Sequence, residues 1–182
     1  MRVLEFYKCL NSQFCKKGIK NVCEEGHECP GVYSVSPIIC DVGSYAKRNQ
    51  EFCTECETGR NCSETGLAAP LICSPPFQCG ITSEPQICKI GEYNGLYNQS
   101  SCSLCNQGQN CTREGMKEPE ICLPGYECNF GIPSICPVGT SNGFQNSSCD
   151  TCPHGNHSYL EGSLNCIECE EGAVCFEGIK IG

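Results

Sequence analysis

The sequence predicts a small disulfide-rich fold: tandem cysteine-rich repeats forming an elongated rod, with short β-hairpins and little helix. Three observations carry this expectation. Twenty-two of 182 residues are cysteine, about 12%, above the roughly 8–10% that marks a disulfide scaffold. The cysteines recur at a fixed period. Apolar residues other than cysteine rarely run beyond three or four in a row and tryptophan is absent, while no window of about 11–18 residues shows helical periodicity. Cross-links must therefore substitute for an apolar core.

The repeat begins clearly at Cys40. Cys40, Cys53, Cys56, Cys62, Cys73 and Cys79 are separated by 12, 2, 5, 10 and 5 residues, and Cys88, Cys102, Cys105, Cys111, Cys122 and Cys128 by 13, 2, 5, 10 and 5. The period is 48–49 residues. Glycine stands third after the first cysteine in "CDVGSY", "CKIGEY" and "CPVGTS", and after the third cysteine in "CETGRNC" and "CNQGQNC". Units close on "SPIIC", "EPQIC" and "IPSIC". A glycine at constant offset points to turns with positive φ or to close backbone approach.

Residues 40–87 and 88–135 are complete units on this reading. Residues 1–39 form a partial unit that fits from the third cysteine onward, through Cys9, Cys15, Cys23 and Cys29, with Phe6 where the second cysteine would stand. Residues 136–151 form a short half repeat, and residues 152–182 a truncated repeat built from "CPHGNHSYLEGSLNC" and "CIECEEGAVC". The frame predicts a further cysteine where the sequence ends, so these residues are expected to be a segment of a longer chain, interrupted inside a repeat at both ends.

Charge and hydropathy narrow the class. The formal net charge is −9, with the acids scattered. Nucleic-acid binding needs a basic stripe and docking on an anionic membrane needs basic clusters, and the sequence offers neither. "RVLEFYKCLN" after Met1 lacks the apolar core of a signal peptide. No stretch approaches the ~18 apolar residues of a membrane span. Cytosolic thiols are kept reduced, so the cysteine usage points to an extracellular, oxidising location, secreted or at the cell surface.

The segments "CKIGEYNGLYNQSSCSLCNQGQNC" and "CLPGYEC", matched by "CDVGSYAKRNQEFCTECETGRNC" and "CSPPFQC", resemble the ephrin-receptor-like (GCC2/GCC3-type) cysteine-rich repeats, which are related in style to the tumour-necrosis-factor-receptor module. The resemblance covers nearly the whole chain. Pro76 departs from its glycine and Ser141 from its aromatic. Cysteine order alone does not reveal connectivity. The resemblance implies first-to-second, third-to-fifth and fourth-to-sixth pairing. Applied here, it gives Cys9–Cys23, Cys15–Cys29, Cys40–Cys53, Cys56–Cys73, Cys62–Cys79, Cys88–Cys102, Cys105–Cys122, Cys111–Cys128, Cys136–Cys149 and Cys152–Cys166. Cys169 and Cys175 remain unpaired within this segment.

Zinc is the rival use of the cysteines. Cys149, Cys152, Cys166 and Cys169 make Cys-x2-Cys-x13-Cys-x2-Cys with His154 and His157 between them, close to a zinc-ribbon spacing. The disulfide frame claims the same cysteines, and the expectation is no metal, with both histidines on loops. Sequons occur at Asn61, Asn98, Asn110, Asn146 and Asn156; in a secreted protein they lie on surface loops and can carry N-linked glycans. Asn98, Asn146 and Asn156 are the first choices, because a cysteine is the middle residue at Asn61 and Asn110. Tyr45, Tyr93, Tyr126 and Tyr159 are expected to pack over disulfides, and Glu170 and Glu171 to be solvated.

No Ser/His/Asp arrangement, phosphate loop or His-Glu-x-x-His motif occurs, so neither an enzyme nor a cofactor is expected. The leading expectation is a non-enzymatic structural or adhesive segment of a larger cell-surface or secreted glycoprotein. It would act as a stapled rod for spacing or assembly, with other extracellular proteins or copies of itself as partners, and with no nucleic acid or small-molecule substrate. The alternative is the ligand-binding ectodomain of a receptor, which should carry one unit with an apolar patch unlike its siblings. A small secreted factor is a third reading.

Overall fold

Glycine three residues after a cysteine reverses the chain, and the fold is built from that reversal. The structure is a computed structural model describing residues 9–31, 34–143 and 147–181; Phe6 and Asn146 lie outside the described residues. Reversing turns open at Cys23, Cys40, Cys56, Cys73, Cys88, Cys105, Cys122, Cys136, Cys152 and Cys169, 14–17 residues apart. Glycine is the third residue of every one except the turn at Cys73, where Pro76 follows a cis Pro75–Pro76 peptide. The unit of 48–49 residues is thus three shorter turns.

Among the described residues there is no helix, and twenty short strands pair in ten two-stranded sheets. Most strands are two residues long; Gln13–Lys16 with Ile19–Val22, and Tyr126–Asn129 with Ile132–Ile135, form the longer antiparallel hairpins. No described helix is long and apolar enough to cross a membrane. The small disulfide-rich class with short hairpins is what the sequence predicts.

The chain divides into two units, residues 1–86 with 96–101, and 87–95 with 102–182. Within the first, the amide of Cys40 donates to the Gly26 carbonyl at 2.9 Å and that of Cys56 to the Gly43 carbonyl at 2.8 Å. Within the second, the same bond joins Cys105 to Gly91, Cys122 to Gly108, Cys136 to Gly125, Cys152 to Gly139 and Cys169 to Gly155, at 2.8–3.0 Å. Each of these seven turns is thereby tied to the one before it within its unit. Gly125 shows why a side chain is unwelcome: its φ is +81°, and a Cβ there would lie 2.4 Å from the Gly162 carbonyl oxygen.

All 22 cysteines are paired, in eleven bridges. The first-to-second bridges Cys40–Cys53, Cys88–Cys102, Cys136–Cys149 and Cys152–Cys166 stand as the resemblance implies. The interleaved pairs do not. Cys9–Cys23 and Cys15–Cys29 are replaced by Cys9–Cys15 and Cys23–Cys29. Cys56–Cys73 and Cys62–Cys79 are replaced by Cys56–Cys62 and Cys73–Cys79. Cys105–Cys122 and Cys111–Cys128 are replaced by Cys105–Cys111 and Cys122–Cys128. Cys169 and Cys175 are joined to each other rather than left unpaired.

The reason is local. The reversal, built on Cys-x-x-Gly in five of the seven short loops, on Ser12 in the Cys9 loop and on Pro75–Pro76 in the Cys73 loop, brings the sixth residue after the cysteine beside it, with Cα–Cα separations of 5.8–6.5 Å, inside the range a disulfide spans. Short loops recover less chain entropy: about 2 kcal/mol for a separation of six residues, against about 3 kcal/mol for the longer ones. Apart from glycines of the turns, the buried residues are almost all cysteine, joined by Ala46, Asn94, Met116, Asn142, His157 and Ser158.

Candidate functional site

Four turns close through a longer bridge, those opening at Cys40, Cys88, Cys136 and Cys152. The fifth residue after each opening cysteine is Tyr45, Tyr93, Ser141 or His157. Tyr93 packs against Cys105, Cys111 and Met116. Ser141 Oγ lies 3.2 Å from Cys166 Sγ, and His157 Nδ1 lies 3.7 Å from Cys169 Sγ. This position therefore faces the following bridge, and its chemistry changes from phenol to hydroxyl to imidazole along the chain. The sixth residues, Ala46, Asn94, Asn142 and Ser158, are all buried.

The tyrosine expectation holds in part. Tyr93 packs on a bridge, and Tyr45 is half-buried at the equivalent place. Tyr126 is exposed, and Tyr159 is exposed with its ring centroid 5.4 Å from that of His157. They lie outside the bridge-facing position, which explains the difference. His154 is exposed, 6.2 Å from the Phe176 ring. His157, expected on a loop, is instead a buried member of the strand Asn156–His157.

The zinc-ribbon set is dispersed. Cys149 joins Cys136, Cys152 joins Cys166, and Cys169 joins Cys175. Among the described residues one other grouping of ligand types does converge: His157 Nδ1 or Nε2 and the sulfurs of Cys169 and Cys175 lie within 4.8 Å of one another. Beside it, Lys180 Nζ donates to Glu170 Oε2 at 2.8 Å. That hydrogen bond, then the lysine charge and to a smaller degree His157, hold the Glu170 carboxyl below its ordinary pKa. Glu171 is exposed.

The described sequons are all half-buried. Asn61 Oδ1 accepts from the Ser63 amide at 3.1 Å and from Ser63 Oγ at 2.8 Å. Asn98 has a φ of +58°, and its Oδ1 accepts from the Cys73 amide at 3.2 Å. Asn110 lies in the strand Gln109–Asn110 with its Oδ1 buried and unpaired. Asn156 lies in the strand Asn156–His157, and its sequon serine, Ser158, is buried and donates to the Leu160 carbonyl at 3.1 Å.

Two side-chain contacts between distant residues escaped the sequence reading. Glu28 Oε2 accepts from the Cys53 amide at 2.8 Å, and Glu127 Oε2 from the Cys149 amide at 3.4 Å. Both glutamates stand just before the last cysteine of a short loop, in "HEC" and "YEC", a recurrence that the spacing of cysteines alone does not flag. Neither a protein-family model nor a curated protein matches the chain.

Proposed function

We propose that this chain is a non-enzymatic, extracellular structural or adhesive segment of a larger cell-surface or secreted glycoprotein, a disulfide-stapled rod used for spacing or assembly. The observation that carries this reading is the pairing of every cysteine inside its own turn. Such pairing suits an oxidising compartment and a quasi-one-dimensional architecture in which each turn contacts its neighbours. Its repeat is of the ephrin-receptor-like type, with the six cysteines joined in consecutive pairs. Asn98 and Asn156 are the favoured glycan carriers among the described residues, and partners are other extracellular proteins or further copies of the chain.

Architecture is favoured over ligand capture because the exposed apolar positions repeat. The isoleucine before the first cysteine is 50% exposed at Ile39, 41% at Ile87 and 43% at Ile135. A receptor patch should instead distinguish one unit from its siblings. Small-angle X-ray scattering tests the rod: a radius of gyration well above the ~16 Å of a compact chain of this length is expected. A value near ~16 Å would reject the spacer role. Surface biotinylation of cells carrying the parent protein tests the location.

A further inference from the structure

We propose that His157, Cys169 and Cys175 form a zinc site that is closed while the two cysteines are joined and becomes available when an external dithiol reduces that bridge. Three observations lead to it. His157 is only 5% exposed, yet its Nδ1 is directed at Cys169 Sγ, 3.7 Å away. On a tetrahedral zinc with Zn–N of about 2.05 Å and Zn–S of about 2.3 Å, nitrogen and sulfur ligands are about 3.6 Å apart. The imidazole is therefore already at ligand spacing from one sulfur.

Accessibility is the second observation. In each of the other ten bridges at least one cysteine is buried, whereas Cys169 and Cys175 are both partly exposed. Thiol–disulfide exchange depends on access to the attacked sulfur, and this bridge presents two partly exposed cysteines to a reductant where the others present one or none. The third observation is the contrast with the sibling turns, where the bridge-facing position holds Tyr93 or Ser141. Only in the turn opening at Cys152, among the four that close through a longer bridge, does it hold an imidazole, a good zinc donor.

The chemistry balances as follows. A thiolate of the dithiol attacks one sulfur of the Cys169–Cys175 bridge and releases the other cysteine as a thiolate. The second thiol of the reductant then displaces the mixed disulfide. Two electrons pass to the protein, leaving two free cysteines and an oxidised cyclic disulfide. Zinc then displaces the two thiol protons and takes neutral His157 as its third ligand, with the fourth position open to solvent. Thiolates and imidazole are the donor set zinc prefers.

The test uses the 182-residue chain in graded dithiothreitol, with alkylation mapping of free cysteines and Co²⁺ as the spectroscopic probe. Cys169 and Cys175 should label first. One equivalent of Co²⁺ should then bind with thiolate-to-metal absorption and be displaced by Zn²⁺. His157→Gln should weaken Co²⁺ binding roughly tenfold or more while the other ten bridges remain mapped. In the unsubstituted chain, Zn²⁺ should shift the ring resonances of His157 and leave His27 unmoved, which tests the ligand without any variant. The proposal is overturned if the two thiols are free and no metal binds, if the His157 ring does not respond, or if a folded His157→Gln chain binds equally well. It is also overturned if Cys169 and Cys175 label only together with the buried bridges.

Discussion

The Cys53 amide donates to the Glu28 carboxylate at 2.8 Å, a contact between residues 25 apart in sequence. A hydrogen bond to a charged acceptor contributes more than a neutral one, and this glutamate is half-buried. Glu28→Ala should cost about 1 kcal/mol locally, read as about fivefold faster exchange of the Cys53 amide. Glu28→Gln, which keeps an acceptor, should lose less. Unchanged exchange in Glu28→Ala would show the contact to be energetically idle.

The bridge pattern makes a sharp proteolytic prediction. Arg113 and Lys117 are trypsin sites between the Cys105–Cys111 and Cys122–Cys128 loops. Without reduction, cleavage there should separate the peptide 118–180 from everything before Arg113. Interleaved pairing would leave the two parts covalently joined, and a mass spectrum of the unreduced digest distinguishes the outcomes.

Two glycines with the same backbone conformation should respond differently to alanine. Gly125 and Gly155 have φ of +81° and +82°, but a Cβ at Gly155 meets open space, whereas at Gly125 it meets the Gly162 carbonyl. Gly155→Ala should cost about 1 kcal/mol, the penalty of a left-handed alanine. Gly125→Ala should cost about 3 kcal/mol, because backbone must also shift. Denaturant titration of the oxidised chains measures both, and equal losses would remove the close approach from the account.

Glu170 provides a pH prediction with a definite sign. Its folded pKa is lowered, chiefly by the Lys180 hydrogen bond and charge. The contribution of this pair is therefore present above the ordinary carboxylate pKa and is lost as pH falls through the lowered one. Lys180→Met should raise the Glu170 pKa toward its ordinary value in a carboxyl-detected NMR titration while leaving the bridges unchanged. A midpoint that does not move would remove Lys180 as the cause.

The cysteine spacing made the class and the turns legible, because recurrent gaps and a glycine at constant offset have a direct geometric meaning, while the long bridges came only from the family resemblance. Partner choice was not legible from order, since Cys56 can be written with Cys62 or Cys73 without disturbing the period. The missed signal lay in "CETGRNC" itself: a glycine midway between two cysteines reverses the chain and brings its ends together. His157 was hidden for a related reason. Its place in the frame is that of Tyr45 and Tyr93, and burial at that place follows from the bridge beneath it rather than from any local apolar pattern. The carboxylate contacts of Glu28 and Glu127 depend on how successive turns stack, which the sequence does not state.

Because every bridge closes within its own turn, no cysteine has to wait for a partner from the next turn. In seven of the eleven bridges, the partner is only six residues away. During synthesis, at about 5–20 residues per second, the partner emerges within about a second. Interleaved pairing would leave thiols exposed to wrong partners while a further turn was made. This chain can instead be sealed in order from the leading end, so that the number of turns can grow without multiplying the ways of pairing them wrongly.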